Sequence, residues 1–225
     1  TNSTQGVQTA KNLVKWVKEI DTTRPTTIGE DKFRGNMNDT SSNLGNANMV
    51  AVFDAVDIPG LNYSENRYDA QHREKPDWKL YGSEIASATS SRGVYAHPDT
   101  VNSGASIPYQ QSSYDTDCVG WGRTAQDSLV RDRDRKFIAG EFVWTGFDYI
   151  GEPTPWNQST TTPPKSSYFG IVDTAGLPKD SYYLYQSQWT DVKDNPMVHI
   201  LPHWNWEDTN LASKVTDRDG KIPVR

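Results

Sequence analysis

The sequence predicts an α/β protein: half of a TIM-type (β/α)8 barrel over residues 1–196, then the opening strands of an all-β domain at 197–225. Three observations carry this reading. Segments of helical periodicity alternate with short apolar runs, the pattern of parallel strands joined through crossover helices. Long loops rich in Ser, Thr, Gly and Pro follow the strands, where a barrel builds its functional face. A last strand-like run at 197–206 breaks the alternation and leads into hairpin-like sequence.

Taken in order, the first element is a helix over about residues 6–20. Val7, Ala10, Leu13, Val14, Val17 and Ile20 recur at three- and four-residue spacing and so share one face. Ser3 or Thr4 can cap its start, and Pro25 ends it by pushing Arg24 out of the helical region. A short strand is expected at Thr26–Gly29, then a polar stretch to Asn46 and a helix at Met49–Val56. Asp57–Asn62 reads as a strand interrupted by Pro59-Gly60, Arg67–Glu74 as a helix stopped at Pro76, and Lys79–Gly82 as another short strand. Residues 86–118 read as long loops, Ala125–Arg133 as a polar helix and Lys136–Phe147 as the strongest strand. A loop at 151–168 and a helix at Tyr182–Trp189 lead to the closing strand, Met197–Trp206.

Composition excludes several classes. The 225 residues carry 23 Lys and Arg against 29 Asp and Glu, a net charge of −6, which argues against a nucleic-acid or anionic-membrane partner. No apolar run approaches the roughly 18 residues of a membrane span, and mean hydropathy is −0.78. A single cysteine, Cys118, leaves no internal disulfide and no thiolate-rich metal site. Aliphatic residues are few (Leu 9, Ile 10, Val 16), while eight Trp and eleven Tyr supply bulky apolar surface. Such a chain suits a sugar-handling surface or a part of something larger. Thr1 follows neither an initiator Met nor a signal peptide, and 216–225 ends as a turn and a beginning strand, so an excised segment is expected.

No His-Glu-x-x-His, paired Cys-x-x-Cys, Gly-rich phosphate loop or Gly-x-Ser-x-Gly elbow occurs, and His72, His97, His199 and His203 are scattered. No cofactor or metal is expected. What remains is carboxylates and aromatics at strand ends. Glu84 follows the short strand closing in Gly82-Ser83, and those small residues leave room for a ligand to approach a carboxylate. Tyr63 ends the preceding strand, and Trp144 lies late in the strongest one. In a parallel barrel these ends are neighbours, and a carboxylate, a phenol and an indole around one hole suit a pyranose. The competing readings are a solvated loop glutamate for Glu84 and core packing for Tyr63 and Trp144.

Several runs resemble the glycoside hydrolase family 2 β-galactosidases in order and spacing: Gly60-Leu61-Asn62-Tyr63, His72, Pro76-Asp77, Tyr81-Gly82-Ser83-Glu84 and Ser112-Ser113-Tyr114-Asp115. So do Gly140-Glu141-Phe142-Val143-Trp144-Thr145-Gly146-Phe147-Asp148-Tyr149, Gly151-Glu152-Pro153-Thr154-Pro155 and Leu201-Pro202-His203-Trp204-Asn205-Trp206. The resemblance runs from about residue 6 to 210 and implies the fifth to eighth strands of the catalytic barrel. It implies retaining hydrolysis of terminal β-linked sugars, β-galactosides first, with Glu84 as nucleophile and Tyr63 hydrogen-bonded to it. Trp144, Asn62 and Trp156 would contact the sugar. The family's acid/base lies in an Asn-Glu pair after the fourth strand; no such dipeptide occurs here, so it is expected upstream of residue 1. Ser87 stands where some β-galactosidases have a sugar-binding histidine. The resemblance also implies a bacterial enzyme, secreted or at the cell surface ahead of cytoplasmic.

Retention needs two carboxyl groups about 5 Å apart, one attacking the anomeric carbon and one protonating the leaving oxygen. An isolated half without the second carboxyl is expected to be inactive. It is also expected to self-associate through the open edges of its outer strands, its natural partner being the missing N-terminal half. The rival classes are a carbohydrate-binding module using Trp144, Trp156 and Trp121 as platforms, and a structural fragment that dimerises. A glutamate beside a tyrosine at a strand end separates the enzyme from both.

Overall fold

The computed structural model describes residues 2–96, 98, 99, 101, 110–156, 166–204 and 216–225. In chain order they form α1 (Thr4–Ile20), β1 (Thr27–Glu30), α2 (Ala47–Phe53), β2 (Ile58–Asn62), α3 (Tyr68–Glu74), β3 (Leu80–Ala86), α4 (Ala125–Arg133), β4 (Ile138–Trp144) and α5 (Asp180–Trp189). The chain divides into two units, one of Thr1–Ile85 with Ser128–Val143 and one of Ala86–Asp127 with Trp144–Arg225.

The first unit is the helix–strand alternation read in the sequence. Its strands form one sheet in the order β1-β2-β3-β4. Thr27 pairs with Ile58 and Gly60 with Tyr81, both in parallel. Ser3 caps α1, its hydroxyl accepting from Gly6 N at 3.1 Å, and Asn46 caps α2 by accepting from Asn48 N and Met49 N. The spaced apolar residues of α1 do share a face, yet only Ala10 is buried. Leu13, Trp16, Val17 and Ile20 lie exposed.

Behind the sheet sits a core of Phe33, Met49, Phe53, Leu61, Tyr68, Trp78, Leu80 and Ile138. Aromatic rings do what few aliphatics are present to do. Phe53 meets Phe33 and Trp78 edge-on at 5.0 and 5.1 Å, and the Trp78 indole donates to Asp54 at 2.8 Å. The polar stretch before α2, which has no regular structure, is held from α3 and its cap. The fully buried Arg67 donates to the carbonyls of Arg34, Asn36 and Ser41 at 3.0, 3.3 and 2.7 Å, and Gln71 to that of Ser42 at 3.0 Å. A buried guanidinium satisfied by carbonyls takes the place of a regular element.

In the second unit, Asp115 accepts from Ala125 N and Gln126 N at 2.7 and 2.8 Å, capping the first turn of α4. Asp117 accepts from Ser112 N at 2.6 Å. The buried Lys179 pairs with Asp148 at 2.7 Å and also donates to the Ser90 carbonyl.

Two strand expectations are corrected. The strand expected over Lys79–Gly82 runs to Ala86, so Glu84 lies inside β3 and not after it. The expected strand at Met197–Trp206 is not a strand over its described part, 197–204. There Leu201 exchanges backbone hydrogen bonds with Arg225, at 3.1 and 2.8 Å, and has no longer ladder. Positions 205 and 206, like His97, lie outside the described residues.

Behind β3, Asp132 packs among Glu65, Tyr68 and Glu141. Burial first, then the charges of Glu141 and Glu65, pushes the Asp132 carboxyl from its usual 3.8 up to about 8, against the opposing effects of Tyr68 and then Arg135. The folded state therefore keeps a proton that the unfolded chain releases. This stability is complete below the unfolded value and is lost as pH rises through the folded one. Between about pH 4 and about pH 8 the melting temperature is expected to fall, and Asp132→Asn to flatten that decline. A melting temperature that rises across the same window would contradict this ionisation.

Candidate active site

A regular parallel pairing would place Ser83 opposite Asn62 and turn Glu84 back toward the core. The observed register differs: Gly60 pairs with Tyr81, Leu61 with Gly82, and Asn62 with Glu84. Ser83 is the extra residue of a β-bulge, and the bulge restores Glu84 to the face that carries Asn62. Ile85, beyond it, is fully buried and lies against the space where a Gly82 side chain would start.

Tyr63 then grips Glu84 twice. Its backbone N–H donates to the Glu84 carbonyl at 3.0 Å, and its hydroxyl donates to Glu84 Oε1 at 2.7 Å. Tyr63 has φ 50°, a left-handed conformation rare outside Gly, Asn and Asp, and it directs the ring back over β3. Ala86 and Ser87, where the chain leaves β3, also have positive φ, 67° and 52°. Three strained residues bracket one carboxylate.

The small residues before Glu84 have a different purpose from the expected one. A Cβ on Gly82 would meet Ile85 Cγ2 at 2.7 Å and Asp132 Oδ2 at 2.9 Å, so that glycine makes room for the core. Ser83 is likewise committed, donating to Asn62 Oδ1 at 2.6 Å. The room for a ligand inferred from Gly82-Ser83 is taken by protein.

Asn62, Tyr63 and Glu84 thus come together in the first unit. Trp144 ends β4 and belongs to the second unit, where its ring meets Tyr149 edge-on at 6.0 Å. Trp156, in the same unit, meets Tyr168 at 4.7 Å. Trp121 is exposed. His72 stacks on Phe137 at 4.0 Å, and His199 accepts or donates against Asp180 at 2.7 Å while stacking on Tyr183. Among the described residues no three His, Cys, Asp or Glu side chains group as metal ligands, and no helix is long and apolar enough to cross a membrane.

Among the described residues, neither of two well-formed cavities is lined by Glu84. One of about 440 Å³ lies in the second unit beside Tyr114, Asp180 and His199. The other, about 460 Å³, lies where β1 and β2 begin, lined by Thr27, Ile58, Tyr81 and Phe142. The sequence reading took Ser83 only as a small residue and gave no role to the glycines facing it, Gly29 and Gly60; a glycine inside a strand was the available signal.

No family model matches the chain. A β-galactosidase of Bacteroides ovatus is 42% identical to it over 205 residues, covering 87% of this chain and 22% of that protein. The crystal structure of a β-glycosidase from Bacteroides vulgatus superposes with a TM-score of 0.64 and 30% identity, over 91% of this chain and 26% of that one. A glycosyl hydrolase family 2 member from Bacteroides cellulosilyticus shares the fold at a TM-score of 0.57 and 22% identity, over 84% of this chain and 19% of that one. The chain spans about a quarter or less of the length of each.

A Gly60→Ala substitution should test the packing around the bulge. Its Cβ would lie 2.7 Å from both Cβ and Oγ of Ser83 and 2.9 Å from Tyr81 Cε1. Thermal or urea unfolding is expected to report a loss of about 1–3 kcal/mol. An unchanged midpoint would mean that the bulge yields freely.

Proposed function

We propose, on the premise that this chain is a β-galactosidase-like segment of glycoside hydrolase family 2, that it carries the nucleophile of a retaining glycosidase and that the nucleophile is Glu84. The single observation behind this reading is the Tyr63–Glu84 grip on neighbouring strands. Tyr63 occupies one carboxylate oxygen and fixes the plane of the group, leaving Oε2 to attack. In the first step that oxygen bonds to the anomeric carbon as the bond to the leaving oxygen breaks, and a second carboxylic acid protonates the departing group. In the second step water, deprotonated by the same residue, displaces Glu84 and regenerates it.

The sequence holds no Asn-Glu pair to supply the second carboxyl, so we place it in a part of the longer protein outside this chain. On the same reading the sheet is the fifth to eighth strands of an eight-stranded barrel. Its outer strands and the apolar face of α1 (Leu13, Trp16, Val17, Ile20) would be covered by the remainder of the protein. The segment alone would be inactive and prone to self-association. Asn62, Trp144 and Trp156 would contact the sugar, with β-galactosides the first substrates to try because the Bacteroides ovatus relative is a β-galactosidase. A non-catalytic sugar-binding module would leave a doubly held glutamate without a use.

In the full-length protein, Glu84→Gln is expected to lower hydrolysis of an aryl β-galactoside by several orders of magnitude, since the anionic nucleophile is lost. A 2-deoxy-2-fluoro glycoside with a good leaving group should esterify the enzyme, and peptide mapping should find the label on Glu84. Label on Glu141, or on no residue of this segment in an active enzyme, would refute the assignment. Trp144→Ala should lower kcat/KM at least about tenfold with the fold intact, through lost stacking. Unfolding with normal kinetics in the surviving fraction would instead assign Trp144 to packing.

A further inference from the structure

Ser83 does more than lengthen β3 by one residue. Its hydroxyl donates to Asn62 Oδ1 at 2.6 Å, and a carboxamide held by its oxygen has its NH2 group turned the other way. Among the described residues no protein acceptor takes the Asn62 Nδ2 hydrogens, and Nδ2 is not sealed from solvent. Asn62 is the register partner of Glu84, so the two stand side by side, about one strand spacing (~4.8 Å) apart along the sheet. Two N–H donors of fixed direction therefore face outward next to the carboxylate.

Neighbouring strands are cleared to seat this pair. A side chain on Gly60 would overlap Ser83, as described above. One on Gly29 would lie 3.1 Å from Ser83 Oγ and 3.2 Å from Asn62 Oδ1. Glycine in a strand interior weakens it, typically by about 0.5–1 kcal/mol relative to alanine. Two such positions, on β1 and β2, converge on one serine–asparagine hydrogen bond.

We propose that Ser83 is a positioning residue, which locks the Asn62 amide so that its NH2 donates to one sugar hydroxyl beside the carbon that Glu84 attacks. The proposal rests on the assignment of Glu84 as nucleophile. Ser83 acts through Asn62 and touches no reacting atom. The hydroxyl accepts more strongly as charge develops at the ring, so a correctly aimed donor assists the transition state more than the bound substrate. The same residue thus brings Glu84 onto the ligand face through the bulge and aims the donor next to it.

The test uses the full-length enzyme and aryl glycosides deoxygenated in turn at each ring hydroxyl. Ser83→Ala is expected to lower kcat for the fully hydroxylated substrate by about tenfold or more while KM changes little, the pattern of a contact made in the transition state. One deoxy substrate, lacking the hydroxyl that Asn62 meets, should be turned over equally by wild type and Ser83→Ala. Asn62→Asp keeps the acceptor for Ser83 but loses the donors, and should reproduce the same substrate pattern even if Ser83→Ala fails to fold. In an Asn62→Ala background, Ser83→Ala should add less than about a twofold loss. A uniform loss on every deoxy substrate, or a full additional penalty in the Asn62→Ala background, would overturn the positioning role. Wild-type turnover by Glu84→Gln would instead overturn the nucleophile assignment, and this inference with it.

Discussion

Strands that run in parallel cannot be joined by tight turns; each must be carried back by a crossover to the edge where its predecessor began. That demand organises the first unit. It sets helices between β1, β2 and β3, buries one face of the sheet beneath them, and delivers Asn62, Tyr63 and Glu84 to one edge although more than twenty residues of sequence separate the first from the last. Hydrophobic burial stabilises the sheet from behind. Asn62, Ser83 and Glu84 stand on the other face.

A chain with so few aliphatics meets this demand with large rings and satisfied polar groups. Phe33, Phe53 and Trp78 interlock edge-to-face, and Arg67 reaches carbonyls across a segment without regular structure. A guanidinium with carbonyl partners in a fixed fork is stable when buried only as a complete set. Removing one partner would leave the remainder exposed to the full desolvation cost, so this segment is held cooperatively and not by separable contacts.

The first helix was legible because period, cap and stop agree, with Ser3 at its start and Pro25 beyond its end, and Pro76 marked the end of α3; the Asn46 cap of α2 is seen only in the structure. Strand β3 was legible only to Gly82, since Gly-Ser-Glu has the composition of a turn and a bulge carries no periodic signal. Gly82 and Ser83 were read for the space they leave beside Glu84, whereas Gly82 serves the core and Ser83 lies against Gly29 and Gly60, to which the sequence reading gave no role. Long-range pairing decides such positions, and one strand read alone does not contain it. Asn62, Tyr63 and Glu84, by contrast, were picked out through a motif, and the structure sets Asn62 and Glu84 on adjacent strands with Tyr63 just past the end of β2. The run at Met197 misled because its apolar residues, Met197, Val198, Ile200 and Leu201, read as a strand without a partner to pair with.

The two faces of β3 impose opposite conditions on carboxyl groups. On the core face Asp132 sits where water is excluded and other acids are close, so it keeps its proton up to about pH 8. On the other face, the attack proposed for Glu84 needs the anion, and the hydroxyl of Tyr63 is hydrogen-bonded to it. Glycine at 82 is what lets the acid approach the strand so closely, since any Cβ there would meet its oxygen at 2.9 Å. A neutral Asp132 adds no negative charge behind the strand, so the sheet remains compatible with an anion in front. Ionising it would add a further negative charge beside Glu141 and Glu65 in a medium that screens it poorly. The strand that holds Glu84 therefore depends, for its packing, on a proton kept on its hidden side.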